Sequence, residues 1–158
     1  MARMELARNL KIESVARLNP TPPRQVDGAL SVADTVEMMR REGVGCLLVV
    51  RDAKLIGIFT ERDLLSRVLA PGKSLDVLIQ DVMTPDPVTV EPKDSIRTAV
   101  KRMQGGNYRH LPVVDDANRP VGILSAKRIV HYLVEHFPNT IYNQPPDPQQ
   151  VPDTAEGA

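Results

Sequence analysis

Two segments of the chain carry apolar side chains at helical spacing, and they lie 64 residues apart, as measured from Ser31 to Ser95. In the second segment the apolar side chains follow the positions i, i+3, i+4 and i+7: Ile96, Ala99, Val100 and Met103. In the first segment one helical face carries Val32, Val36 and Met39. Ser31 and Ser95 precede these faces, where an N-cap hydroxyl is expected. The pattern predicts two amphipathic helices.

Short unbroken apolar runs follow both predicted helices, at residues 46–50 and 111–114. Such runs are typical of strands that are buried on both faces. Polar turns separate these runs from a second pair of apolar runs, at residues 55–59 and 121–124. Two more helices are predicted at 61–69 and 126–137. With a leading strand before its first helix, each copy is predicted to run strand, helix, strand, strand, helix.

The two copies align along most of their length. Residues 24–32 correspond to 88–96, and residues 44–50 correspond to 108–114, at a constant offset of 64. The offset grows to 65 between Gly57 and Gly122, because the second copy has one more residue in a turn. A constant spacing with a single insertion in a turn indicates a tandem duplication.

The predicted fold class is α/β (α+β), with two β-α-β-β-α units. A lone unit of about 60 residues would be only marginally stable. We therefore expect the two units to pack together, sheet against sheet, with pseudo-twofold symmetry. The predicted division is a helical N-terminal extension, a first repeat, a short linker, a second repeat and a disordered Pro-rich tail, at 1–18, 19–70, 71–74, 75–138 and 139–158.

The composition excludes several classes of protein. Basic and acidic residues number 20 each, so the chain lacks the excess of positive charge that is typical of nucleic-acid binding. The single cysteine, Cys46, excludes an intramolecular disulfide, and the three histidines lack metal-binding motifs. No apolar run approaches the roughly 20 residues of a membrane-spanning helix, and no signal peptide is evident. We expect a cytoplasmic protein with no metal site.

A motif at the end of the first copy is the most specific signal in the chain. Its sequence matches a glycine, two apolar residues, then Thr-x-x-Asp and an apolar residue: Gly57-Ile58-Phe59-Thr60-Glu61-Arg62-Asp63-Leu64. Residues 122–129 give a second, altered version, and residues 81–85 and 109–115 add further segments in the expected order. In these features the chain resembles CBS (cystathionine beta-synthase) domains over approximately residues 12 to 137.

The resemblance implies a Bateman module, in which two CBS repeats enclose two clefts that each hold an adenosine-containing ligand. Members of this family bind AMP, ADP, ATP, S-adenosylmethionine or NAD-type ligands. They commonly form disc-like homodimers and regulate enzymes, channels or transporters. We accordingly expect a regulatory nucleotide-sensing module that is not an enzyme, with a partner protein that the sequence leaves open.

One cleft carries the complete set of expected ligand-binding residues. Asp63 can accept hydrogen bonds from both ribose hydroxyls, and Thr60 with the free amides of its helix can hold a phosphate oxygen. The alternative is structural, because Thr60 is also placed to cap the helix, with Asp63 as a favourable first-turn acid. The resemblance places Arg109 and His110 of the second repeat at the phosphates, and a guanidinium forms paired hydrogen bonds with phosphate.

The resemblance also assigns the adenine ring to Pro87 and Val88. In the other cleft Ser125 replaces Thr60, but Arg128 stands where the ribose aspartate is expected. That cleft has Gly45 and Cys46 in place of the phosphate-binding pair, so we expect it to be degenerate. This asymmetry keeps open a second hypothesis, namely a constitutive protein-interaction or oligomerisation module with vestigial clefts. No membrane or nucleic-acid partner is expected.

Overall fold

The computed structural model describes residues 2–137. The chain starts with helix α1 (Ala2–Ile12) and a 3-10 turn (Val15–Leu18). The first unit then consists of β1 (Gln25–Asp27), α2 (Val32–Glu42), β2 (Cys46–Arg51), β3 (Lys54–Thr60) and α3 (Glu61–Asp63). Helix α3 continues in π-helical geometry through Leu64–Leu69. The predicted tail, 139–158, lies outside the described residues.

A 3-10 turn (Ile79–Asp81) and the short strand β4 (Thr84–Pro85) form the segment between the two units, which leads into the second unit. That unit continues with α4 (Ile96–Gly106), β5 (His110–Val114), β6 (Pro120–Ser125) and α5 (Ala126–His136). The leading strand predicted for this copy is reduced to one parallel bridge between Val90 and Val113. With that difference, the order of elements follows the predicted duplication.

The helix boundaries follow from local hydrogen bonds that the sequence already suggested. The Ser31 hydroxyl accepts a hydrogen bond from the Asp34 amide at 3.1 Å, and the Ser95 hydroxyl accepts one from the Thr98 amide at 3.1 Å. Caps of this type each stabilise a helix by about 1 kcal/mol. Helix α2 ends at Gly43, whose φ of 66° is the left-handed conformation that glycine adopts without a steric penalty.

Two sheets form the framework of the molecule. In the first, the strand order is β1-β2-β3-β4, with β1 parallel to β2 and the other pairs antiparallel. The second sheet pairs β5 with β6. Between the sheets, Leu48 and Leu55 of the first unit pack with Val114 and Ile123 of the second. The predicted packing of two units, sheet against sheet, is confirmed.

Each unit completes the core of the other. Ile79 and Val82 precede the second unit in sequence but are buried in the core of the first, together with Phe59. At matching positions of the repeat, Val15 and Leu18 are buried in the core of the second unit. Each of these two crossing segments is held by a backbone bridge at a pseudo-equivalent place, Ser14–Ser95 for the first and Ser31–Leu78 for the second. The two units are therefore interlocked rather than merely adjacent.

Candidate functional site

A cleft of about 1070 Å³ lies between the end of β3 and the start of β5. Its wall from the first unit includes Thr60 and Asp63, and its wall from the second unit includes Arg109 and His110. The structure thus brings four of the six residues predicted for the first cleft to one cavity.

Asp63 is held at the start of α3 by its own helix turn. The Thr60 amide donates to Asp63 Oδ2 at 2.9 Å, and the Asp63 amide donates to the Thr60 hydroxyl at 3.2 Å, which makes a reciprocal capping box. On the other carboxylate oxygen, the Thr84 hydroxyl donates to Oδ1 at 3.0 Å and Arg67 Nε lies 3.3 Å away. Asp63 is only 7% exposed, yet it lines the cleft.

The opposite wall supplies positive charge at the start of β5. The Arg109 carbonyl accepts a hydrogen bond from the Ala126 amide at 3.0 Å, which fixes this loop to the start of α5. Among residues 2–137, the Arg109 guanidinium has no carboxylate within ion-pair distance. Partial desolvation and the neighbouring charge of Arg109 lower the pKa of His110. The wall therefore presents Arg109 as a permanent cation and His110 as an imidazole whose protonated form a bound anion would favour.

The structure does not bring Pro87 and Val88 into the lining of this cleft. Strand β4 runs antiparallel to β3, with Thr84 opposite Ile58 and the Asp86 amide bonded to the Ile56 carbonyl. The chain thus moves away from the Thr60 end of β3 as it approaches Pro87. This direction explains why only Thr84 of that segment reaches the cavity.

The pseudo-equivalent segment of the first unit lines the cleft instead, with Thr21, Pro22 and Arg24. Because β1 is parallel to β2, this segment runs beside the start of β2, next to Cys46 and hence to Thr60. The repeat offset of 64 connects Arg24 with Val88, so the duplication alone would have suggested this segment as well. The sequence analysis missed it because the resemblance assigned the adenine ring to Pro87 and Val88, in the second copy of this segment.

Two more charged residues that were not predicted, Glu61 and Arg62, also line the cavity. Together with Arg24 and Arg109 they give the lining three arginines against the two acids Glu61 and Asp63. Arg24 lies 3.6 Å from a carboxylate oxygen of Glu42. The lining therefore combines a buried carboxylate with three guanidinium groups.

Ser125 and Arg128 have a structural role that the sequence did not resolve. The Ser125 hydroxyl caps α5 by accepting the Arg128 amide at 3.0 Å, which matches the Thr60–Asp63 geometry. The Asp63 carboxylate also accepts a hydrogen bond from the Thr60 amide. Arg128 cannot do the same for the Ser125 amide, because a guanidinium has no acceptor atom. Neither residue lines the cleft described above.

Gly45 and Cys46, which the sequence assigned to the other cleft, line this one, in the same cavity as Arg109 and His110. Cys46 is not poised for chemistry. Burial and the negative charge of Asp63 raise the pKa of its thiol to about 12. The thiol therefore stays protonated near neutral pH and is a poor nucleophile. Within residues 2–137, no cluster of three or more His, Cys, Asp or Glu side chains could hold a metal ion. In the same part of the chain, no helix is both long and apolar enough to cross a membrane.

Comparison with known proteins agrees with this geometry. The model of the CBS domain matches the chain twice, at residues 15–70 and 79–135. The chain belongs to the CBS domain family. An uncharacterised protein of Methanopyrus kandleri is 34% identical over 132 residues, which are 80% of this chain and 66% of that protein. The chain spans as little as 17% of the length of other curated relatives that it matches.

Solved structures of CBS domain pairs have the same fold. The CBS domain pair of protein MJ0100, in complex with 5′-methylthioadenosine and S-adenosyl-L-methionine, matches with a TM-score of 0.70 and 26% identity, covering 78% of this chain and 98% of that one. The protein CBSX2 in complex with AMP matches with a TM-score of 0.68 and 27% identity, covering 77% and 96% respectively. The predicted fold class and the tandem CBS repeat are both confirmed.

Proposed function

We propose that this CBS domain pair is a regulatory module that binds one adenosine-containing ligand per chain in the Asp63 cleft. A partner protein responds to the occupancy of this cleft. The role is one of binding without catalysis. The observation that carries the proposal is that Thr60 and Asp63 of one unit face Arg109 and His110 of the other across a single cavity.

The charge distribution of the cleft supports this class of ligand. A nucleotide has hydroxyl donors on its ribose and negative charge on its phosphate, and the cleft offers a carboxylate and guanidinium groups in the same cavity. Carboxylate–hydroxyl and guanidinium–phosphate contacts are charge-assisted hydrogen bonds, which are about twice as strong as neutral ones. The related structures support the same class, because their ligands are AMP in one case and two adenosine derivatives in the other.

The asymmetry of the two units supports one site rather than two. Arg128 replaces the acid that would accept ribose hydroxyls, and neither Ser125 nor Arg128 lines the cavity that holds Asp63. A ligand of the same chemistry would therefore lack its ribose anchor at the pseudo-equivalent position.

Isothermal titration calorimetry tests the proposal with AMP, ADP, ATP, NADH, S-adenosylmethionine and 5′-methylthioadenosine. We expect a stoichiometry of one for the preferred ligand, and we expect Asp63→Asn to weaken its binding by about tenfold or more, because the charge-assisted bonds are lost. Asp34→Asn is the matched control, since Asp34 also follows its N-cap by three residues but lies outside the cleft.

Two results would contradict the proposal. The first is that none of the six compounds binds more tightly than about 1 mM, which corresponds to about 4 kcal/mol of binding free energy. The second is that Asp63→Asn and Asp34→Asn bind the preferred compound equally well. Unfolding of each variant in urea establishes that the comparison is made between folded proteins.

A constitutive protein-interaction module is the second candidate, and one observation favours it. The carboxylate of Asp63 already receives three hydrogen bonds from Thr60 and Thr84, besides its ion pair with Arg67. An aspartate that serves only the fold would have such contacts. On this hypothesis no nucleotide changes the assembly state, whereas removal of residues 1–11 changes partner capture.

A further inference from the structure

The two carboxylate oxygens of Asp63 have partners from different parts of the chain. Oδ2 is bonded only within the helix turn, by the amide of Thr60 at 2.9 Å and its hydroxyl at 3.1 Å. Oδ1 is bonded by groups that hold the segment between the two units. The Thr84 hydroxyl on β4 donates to Oδ1 at 3.0 Å, and Arg67 Nε lies 3.3 Å from the same oxygen.

A carboxylate has about four acceptor positions, so this one has little capacity left. Three hydrogen bonds and one ion pair already surround Asp63. A ribose that donates from two hydroxyls needs two of those positions. At least one contact made by the protein must therefore be replaced when a ribose binds.

Thr84 is the donor that can be replaced at the lowest cost. The contact of the Thr60 amide is part of the capping box, and its loss would unwind the start of α3. The Thr60 hydroxyl donates to Oδ2 and not to Oδ1. Thr84 is on a strand of only two residues, and its side chain also lines the cleft. Its hydroxyl can rotate toward water or toward the ligand without disturbing a helix.

Resting on the proposed function, we infer that Thr84 is a positioning residue that competes with the ribose hydroxyls for Asp63 Oδ1. The same exchange connects the cleft to the segment between the units. The Arg67 guanidinium pairs with Asp63 through Nε and donates through Nη1 to the carbonyl of Met83 at 3.1 Å. Arg67 therefore connects Asp63 with the residue that immediately precedes β4. Ile79 and Val82, a few residues earlier, are buried in the first core. The contact that a ribose would replace thus lies within a few residues of the side chains that cross into the first core.

The test compares AMP with 2′,3′-dideoxy-AMP, which lacks both competing hydroxyls. Thr84→Val removes the hydroxyl at nearly constant volume, and Thr84→Ser retains it as the matched control. In Thr84→Val we expect the Kd for AMP to fall by about tenfold or more, as for loss of one hydrogen bond to a charged group. The Kd for 2′,3′-dideoxy-AMP should stay unchanged, and Thr84→Ser should retain the wild-type ratio of the two constants.

Three outcomes separate this inference from its alternatives. Equal changes in both dissociation constants would show a purely structural role for Thr84 and overturn the inference. Weaker binding of AMP alone in Thr84→Val would show that the hydroxyl contacts the ligand directly, which also overturns it. If the wild-type protein binds neither compound nor any other nucleotide, the proposed function itself fails, and the inference fails with it.

Discussion

Asp63 closes the first turn of α3 and faces the cleft with the same carboxylate. From the sequence, a structural cap and a ribose contact stood as alternatives for Thr-x-x-Asp. The structure shows the capping box, with Thr60 and Asp63 bonded in both directions. Because each carboxylate oxygen has more than one acceptor position, the cap does not preclude a ligand contact. The Asp63→Asn and Asp34→Asn binding measurements test the ligand contact separately from the cap.

At the residue scale, His110 should report the arrival of a phosphate. Its pKa lies below the ordinary value for histidine because of desolvation and the charge of Arg109. A bound phosphate favours the protonated imidazole, so AMP should raise the pKa of His110. Titration of the histidine ring resonances by NMR, from about pH 5 to about pH 8, measures this change.

Adenosine provides the control for that titration. Adenosine lacks the phosphate, so it should leave the pKa of His110 where it is in the protein alone. If AMP binds and the His110 titration does not move, the phosphate lies elsewhere.

At the scale of elements, the exchanged 3-10 turns decide how the two units hold together. The turns Val15–Leu18 and Ile79–Asp81 occupy matching positions of the repeat, and each delivers a fully buried side chain to the core of the opposite unit. The sequence predicted the helices and most strands, because caps and periodicity are local. It did not predict the exchange, because the residues that cross are paired with partners far away in the chain.

The prediction for this scale concerns Ile79. Its side chain is 0% exposed, so Ile79→Ala should lower the free energy of unfolding by about 2 to 5 kcal/mol through lost burial and a residual cavity. Leu75 is 45% exposed in the same segment, and Leu75→Ala should change the free energy by no more than about 0.5 kcal/mol. Urea unfolding gives both values, and similar losses for the two variants would refute the exchange.

At the scale of the whole molecule, apolar side chains remain exposed at equivalent places of the two units. Leu65 is 61% exposed and Val130, its counterpart in the repeat, is 58% exposed. Val100 on α4 is 37% exposed beside the α5 surface. We propose that Leu65 forms one apolar patch, that Val130 and Val100 form the other, and that a homodimer interface buries both patches.

Light scattering coupled to size-exclusion chromatography tests the dimer. The wild-type chain should elute with twice its mass of 17.5 kDa, and the double variant Leu65→Glu, Val130→Glu should elute as a monomer, because each patch would then carry a charge. Val121 is 46% exposed on β6, so Val121→Glu is the control and should remain dimeric. A monomeric wild type, or dissociation by all three substitutions alike, would exclude this interface.

By itself, the sequence determined the duplication, the helix caps, most strands of each unit and the asymmetry between Asp63 and Arg128. These features depend on a repeat spacing or on contacts within about four residues, which can be recognised without a fold. The duplication offers two equivalent segments, and only the tertiary structure decided between them: Thr21, Pro22 and Arg24 line the cleft, while Pro87 and Val88 do not. It also decided that Thr84 shares Asp63 Oδ1 with Arg67. These contacts depend on strand direction and on the exchange of segments between units, because both bring together residues from separate parts of the chain.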